Sequence, residues 1–145
     1  MQIEQALYEY PYIKIRIEEI EKAIMDLEAQ REAGVSCPLS RIGSAPQPAG
    51  RTGDPTAQAA ILLCDYLDDR QDRLRVEHNQ LQAIVRQVDL WMAAITARER
   101  SIIQLRYFQR RRWRDISNMV ELSRRHTIRC RDQAISTMKG ECHEL

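Results

Sequence analysis

Apolar residues recur every three or four positions in the first part of the chain, and the residues between them are mostly Glu, Lys and Arg. Such a heptad spacing predicts an amphipathic helix with one apolar seam. The members of the seam are Ile13, Ile17, Ile20, Ile24 and Leu27. Proline is tolerated in the first turn of a helix, and glycine is frequent just after its end. We therefore predict a helix from about Pro11 to Glu32, followed by Gly34.

A longer heptad pattern starts after residue 54. Asp54 has a side chain suited to an N-cap, and Pro55 suits the first helical position. The apolar positions of this pattern are Leu63, Leu67, Leu74, Leu81, Ile84, Val88, Trp91 and Ile95. A helix from Pro55 to Ile95 would be about 60 Å long at 1.5 Å per residue. Since no small core covers that length, its apolar stripe must be buried by the first helix, by a second copy of the chain, or by both.

Two charged residues, Arg70 and Glu77, occupy the remaining seam positions of the long pattern. A charge in a heptad seam costs stability relative to leucine, but it can fix the register and the number of partners. Alternatively, both side chains extend from the seam into water. The residues alone leave both interpretations open.

Glycine and proline are concentrated between the two patterns, because four of the five glycines and four of the five prolines lie between residues 34 and 55. This concentration predicts a linker at 34–54, which is either a mobile tether or a binding loop. The predicted chain is all-α. It has two coiled-coil-like helices, one short at 1–33 and one long at 55–96, followed by a domain at 97–145.

Three short helices are predicted in the last part of the chain, the third with Ser123 as its N-cap. Their apolar positions are, in order, Ile102, Ile103, Leu105 and Tyr107; Trp113, Ile116, Met119 and Val120; and Thr127, Cys130, Ala134 and Met138. Two helices joined by a turn of about three residues form a helix-turn-helix, whose second helix can lie in a DNA major groove.

Charge supports a polyanion partner for this last part. Residues 97–145 carry 12 Lys and Arg against 6 Asp and Glu, whereas the first 96 residues carry 10 against 15. If the apolar positions of the third short helix face inward, Arg124, Arg125, Ile128, Arg129 and Asp132 face outward or to the side. Arginine can donate two hydrogen bonds to guanine, and a helix N-terminus favours phosphate. Another arginine cluster precedes or starts the second short helix, where phosphate contacts are typical; it consists of Arg110, Arg111, Arg112 and Arg114.

Four parts of this last segment together resemble region 4 of bacterial sigma factors. They are the run from Arg98 to Tyr107, the run from Trp113 to Val120, the sequence Leu-Ser-Arg-Arg from Leu122, and Ala134 with Ile135. That module reads the upstream promoter hexamer. With the N-terminal helix, the linker and the long helix, the whole chain resembles the RinA- and ArpU-type phage regulators of late-gene transcription.

The resemblance implies roles for individual residues. It implies that Arg124, Arg125 and Arg129 face bases and phosphates, that Ser123 caps the recognition helix, and that His126 stands at a frequently basic position. Glu121 departs from the pattern, because this turn position is usually glycine. Either a residue with a Cβ adopts a positive φ there at some cost, or the turn differs. The predicted DNA-binding residues are Ser123, Arg124, Arg125, His126, Ile128, Arg129, Arg111, Arg112 and Arg114.

The remaining chemistry is sparse. Cys37, Cys64, Cys130 and Cys142 lie far apart without zinc-ligand spacing, so we expect neither a metal site nor a disulfide framework. Nothing resembles a phosphate-binding glycine loop or a nucleophile motif, so we expect no enzymatic activity and no cofactor. No apolar run is long enough for a membrane span, the N-terminus does not resemble a signal peptide, and we expect the cytoplasm of a bacterial host.

These inferences predict a phage or prophage transcription regulator that binds double-stranded DNA at late or packaging gene promoters. The coiled-coil part would form a homo-oligomer or contact the host RNA polymerase. One alternative is a small terminase-like subunit, although its DNA-binding domain usually comes first in the chain. Another is a sigma-like module that contacts polymerase without reading DNA.

Overall fold

The computed structural model describes residues 2–36 and 55–141, and helices make up most of both ranges. The helices are α1 (Ile3–Ser36), α2 (Pro55–Ala94), α3 (Ala97–Ile103), α4 (Trp113–Met119) and α5 (Arg124–Glu141). A π-helical segment, Gln104–Phe108, follows α3 directly. No strand occurs in these two ranges, so the all-α prediction is confirmed for them. Asp54, Cys37, Cys142 and most of the predicted linker lie outside the described residues.

Helix α1 begins at Ile3, so the predicted start at Pro11 is wrong. Proline inside a helix removes one backbone hydrogen bond and crowds the preceding turn, at a cost of about 3 kcal/mol. The residues before Pro11 offset this cost by burial, because the side chains of Ala6 and Leu7 are almost completely buried. Tertiary packing therefore extends the helix past a residue that would normally start it.

Backbone contacts divide the chain into two compact units. The first unit consists of Met1–Arg16 and Leu81–Leu145, and the second consists of Ile17–Gln80. Helices α1 and α2 each contribute to both units, whereas α3, α4 and α5 belong entirely to the first.

The core of the first unit joins residues from distant parts of the sequence. Leu7 of α1, Val88 and Trp91 of α2, Ile103 of α3 and Met138 of α5 are buried in one cluster. Aromatic contacts reinforce it, since the Tyr8 and Tyr107 rings meet edge to face with centroids 4.7 Å apart. The start of α1 is thus part of the same core as the last three helices.

The two helical stretches of the second unit are joined by polar contacts beside an apolar interface. Gln71 is buried and donates a 3.0 Å hydrogen bond to Glu28. Arg31 pairs with Asp68 at 2.9 Å, and His78 Nε2 lies 3.0 Å from Glu21 Oε1. These contacts show that α2 faces α1 of the same chain here.

The predicted seam residues are placed unequally. Ile13, Ile20, Leu27, Val88, Trp91 and Ile95 are buried, while Ile17, Ile24, Leu67, Leu74, Leu81 and Ile84 are half-buried. Leu63 is 57% exposed, so its assignment to a buried seam is wrong for this chain alone. Arg70 is exposed, and the buried polar position is its neighbour Gln71, which an amide can occupy at lower desolvation cost than a guanidinium.

The junction between α2 and α3 is capped on both sides. Thr96 accepts a hydrogen bond from the Glu99 N–H at 3.3 Å, and Glu99 accepts one from the Thr96 N–H at 2.9 Å. Arg100 Nε donates to the Met92 carbonyl at 2.8 Å, which satisfies an acceptor near the end of α2. This reciprocal capping fixes the turn between the two helices.

Candidate nucleic-acid interface

A short turn connects α4 to α5. The Val120 N–H donates to the Ile116 carbonyl at 2.9 Å, and the Leu122 N–H donates to the Ser117 carbonyl at 3.1 Å. Glu121 lies between them with φ of 54°, in the left-handed region. Of the two sequence-based alternatives for this turn, the first is therefore correct: a residue with a Cβ adopts a positive φ.

Ser123 caps α5 as predicted. Its hydroxyl accepts a hydrogen bond from the His126 N–H at 3.3 Å. Its carbonyl accepts the Thr127 hydroxyl at 3.0 Å, and Thr127 also approaches Ser117 of α4 at 3.4 Å between the two hydroxyl oxygens. The start of α5 is therefore attached to the end of α4.

The inner face of α5 packs against α3 and α4. Thr127, Ala134 and Met138 are buried there as predicted, whereas Cys130 is only half-buried. Ile135 is buried as well, although the sequence pattern did not assign it to the core. Met119 of α4 is 59% exposed, so its predicted place in the core is wrong. The buried face of α4 consists of Ile116 and Ser117, and Met119 falls beside it on the helix.

The opposite face of α5 is basic. Arg124, Arg125, His126 and Arg129 are exposed, and Ile128 is half-buried beside them. Among the described residues, the side chains of the three arginines have no hydrogen-bond or ion-pair partner. These guanidinium groups are therefore available to a ligand. Arg124 and Arg125 lie in the first turn of α5, where the backbone dipole favours anions.

A second basic surface lies where the chain enters α4. The side chains of Arg111, Arg112 and Arg114 are exposed. The backbone that carries them is held in place, because Arg106 donates to the Arg111 carbonyl at 3.1 Å and the Arg111 N–H donates to the Leu105 carbonyl at 2.9 Å. A fixed backbone with exposed arginine side chains suits contacts to phosphate oxygens.

Other arginines of the basic segment serve packing instead. Arg106 and Arg131 lie against Trp113, with guanidinium carbons 4.9 and 5.5 Å from the ring centroid. Arg110 has φ of 55° and lies 5.0 Å from the Tyr12 ring centroid. Cation–π contacts of this kind stabilise a side chain in place. The sequence gives no signal for this division, because all these residues look alike in a basic run.

Two tyrosines of this unit have raised pKa values. Burial raises the pKa of Tyr107, and a hydrogen bond with Arg131 opposes the increase. Burial together with a 2.7 Å hydrogen bond to Asp89 raises the pKa of Tyr10 to about 12. The Tyr10 ring also stacks on Phe108, with centroids 4.7 Å apart. Both hydroxyl groups are therefore neutral near pH 7. Tyr10 of α1 donates to Asp89 of α2, whereas Tyr107 accepts from the Arg131 guanidinium of α5.

In the described ranges, no three His, Cys, Asp or Glu side chains lie together as a metal ion would require. Among the helices of these ranges, none has an apolar stretch long enough to span a membrane.

Comparison with known proteins gives one match. A family model described as a protein of unknown function (DUF722) matches residues 60–140, which is more than half of the chain. The chain belongs to this family. The matched region begins in the second turn of α2 and ends one residue before the end of α5, so it includes both basic surfaces. No curated protein and no solved structure matches the chain.

Proposed function

We propose that this protein is a DNA-binding transcription regulator in which α4 and α5 act as a helix-turn-helix. The observation that carries the proposal is the exposed arginine surface at the start of α5, whose three guanidinium groups lack partners in the described part of the chain. The DNA sequence would be read at the base edges by Arg124, Arg125 and Arg129. The DNA phosphates would be bound by Arg111, Arg112 and Arg114.

The packing described above supports this division of roles. Thr127, Ala134 and Met138 anchor α5 from its inner face, so the outer face keeps a defined orientation. The side chains that would read bases therefore stand on a rigid helix rather than on a loop. The acidic charge of the first 96 residues confines the polyanion contact to the last part of the chain.

In biological terms, we propose a phage or prophage regulator that acts at promoters of late or packaging genes and, through its other surfaces, on the host RNA polymerase. This part of the proposal rests on the resemblance to sigma region 4 and to the RinA- and ArpU-type regulators. A gene located just upstream of packaging genes supports it, whereas a gene beside a metabolic operon contradicts it.

The test begins with selection of bound duplexes from fragmented DNA of the source genome by the full-length chain. Competition shift assays then compare the selected duplex with a scrambled duplex of equal length. The R124A/R125A variant is expected to lose preference for the selected duplex, because it lacks the base-facing groups. The R111A/R112A variant is expected to weaken binding to both duplexes equally, because phosphate contacts carry no sequence information.

The matched control is Arg86→Ala, which removes an exposed arginine of α2 outside both basic surfaces. It should leave DNA binding unchanged. With about five phosphates contacted, log K should fall with log salt at a slope near −4.5. Indistinguishable effects of the two double variants would refute the division of roles. Absence of duplex binding, with retention of RNA polymerase from the host, would instead support the sigma-like module that contacts polymerase alone.

A further inference from the structure

The second unit has a heptad line on α2 that α1 does not cover. Its residues are spaced alternately by four and three positions and are all exposed: Leu62, Tyr66, Asp69, Arg73, Val76 and Gln80. The large apolar members are 69% exposed at Leu62, 58% at Tyr66 and 57% at Val76. We call these six residues the outer line. A heptad line with exposed apolar side chains is the pattern of a helix that packs against another helix.

The outer line is separate from the surface that faces α1. In this unit α2 approaches α1 through residues such as Asp68, Gln71 and His78, which contact Arg31, Glu28 and Glu21. None of these residues belongs to the outer line. Among the described residues, pairing of α2 with α1 therefore leaves the outer line accessible.

The charges on the outer line are arranged for pairing with a copy of themselves. Its centre holds Asp69 and Arg73, which form an exposed ion pair of 2.7 Å along their own helix. In an antiparallel pair related by a twofold axis midway between them, Asp69 faces Arg73 of the second copy, and Arg73 faces its Asp69. The same axis sets Tyr66 against Val76 of the other chain and Leu62 against its Gln80. Each facing pair of residues therefore either joins opposite charges or contains at least one apolar side chain.

A parallel pair has the opposite property. It would set Asp69 against Asp69 and Arg73 against Arg73 at two successive levels, and like charges facing each other are destabilising. The charge pattern therefore selects the antiparallel orientation.

We propose that the protein forms an antiparallel homodimer through the outer line of α2. From Leu62 to Gln80 the contact is about 27 Å long at 1.5 Å per residue. A contact of that length belongs with the small interfaces, below about 1,200 Å² in total, that are typical of weak association, so the population of the dimer should depend on protein concentration. The proposal concerns the second unit and is independent of DNA binding.

The experiment measures the mass of the full-length chain by sedimentation equilibrium across a concentration series, without DNA. The wild type is expected to be a monomer at low concentration and a dimer at high concentration. The D69R variant carries arginine at both central positions, and the R73D variant carries aspartate at both. Each variant alone therefore sets like charges against each other at two levels, and its dissociation constant should rise about tenfold.

An equimolar mixture of the D69R and R73D variants is the decisive sample. In a mixed dimer, both arginines of one chain face both aspartates of the other, so the mixture should dimerise about as strongly as the wild type. The ion pair within each helix stays broken in the mixture, so recovery reports only on contacts between chains. The matched control is Asp26→Arg on the exposed surface of α1 in the same unit, which should behave as the wild type.

Three results would overturn the proposal: a wild type that stays monomeric throughout the series, single variants that dimerise as well as the wild type, or a mixture that does not recover. A mixture that dimerises more strongly than the wild type would point to the parallel arrangement and would equally refute the antiparallel one. Circular dichroism of each variant establishes that its helices are intact before its mass is compared.

Discussion

Replacing Glu121 by glycine should stabilise the protein. Glu121 has φ of 54°, where the Cβ of an L residue is crowded by the following carbonyl at a cost of about 1–2 kcal/mol. Glycine pays no such cost, but it loses about 0.5–1 kcal/mol through the greater entropy of its unfolded chain. Since Glu121 is exposed, removing its side chain should itself cost little stability. At the midpoints of these two ranges the net gain is about 0.8 kcal/mol, or roughly 2–3 °C in Tm for a chain of this size.

The assay is urea unfolding followed by circular dichroism, with the Glu121→Ala variant as the control. Alanine removes the carboxylate but keeps the Cβ, so it should show almost none of the gain. The comparison separates backbone strain from the loss of a negative charge in a basic segment. If the glycine variant is no more stable than the alanine variant, the reasoning from φ is refuted.

Three further predictions concern the first unit. Arg110→Gly should stabilise less than Glu121→Gly, although φ is 55° there, because it also removes the cation–π contacts with Tyr12 at 5.0 Å and Tyr8 at 5.9 Å; equal gains in urea unfolding would contradict this. Thr96→Ala removes one half of the capping box and should cost about 1 kcal/mol, with Ser101→Ala on the exposed side of α3 as the comparison. Tyr10 has a folded-state pKa raised from 10.0 to about 12. Its contribution to stability is therefore complete below pH 10 and is lost as the pH rises from 10 to 12. The urea midpoint of Tyr10→Phe should fall less over this interval than that of the wild type.

Local signals in the sequence were sufficient to predict most of the helices. The heptad spacing of α2 predicts an end at Ile95, one residue beyond the observed end at Ala94. The sequence predicts the cap of α5 at Ser123, and the Ser123 hydroxyl does accept the His126 N–H. Both predictions work because caps and periodicity depend on neighbouring residues, whose effect does not require knowledge of the tertiary structure.

The wrong predictions arise where a contact between residues distant in the sequence determines the local structure. Pro11 appears as a helix start in the sequence, but the packing of Ala6 and Leu7 against residues of α2 and α5 extends the helix to Ile3. The heptad spacing places Arg70 and Glu77 in the seam, either fixing its register or extending into water, and it does not reveal the buried Gln71, because only the position of Glu28 on α1 shows which side chain finds a partner. Periodicity defines a face to within one residue, and the facing helix determines the rest.

The candidate site shows the same limit in a different form. A count of charges finds twelve Lys and Arg after residue 96, and it cannot tell which of them are free to bind a ligand. The structure divides them by geometry: Arg100 caps α2, Arg106 and Arg131 lie against Trp113, and Arg110 lies over tyrosine rings. Three of the remaining arginines lie together on the outer face of α5.

This division predicts how stability and binding separate in mutants. Arginines that pack against rings or cap a helix contribute to the position of α5, so their loss should lower stability and binding together. The arginines of the outer face of α5 make no hydrogen bond, ion pair or ring contact with the described residues, so removing them should leave the unfolding free energy within about 0.5 kcal/mol of the wild type. A basic segment used only as a charged surface would show no such contrast, because each arginine would then contribute to binding in proportion to its charge alone.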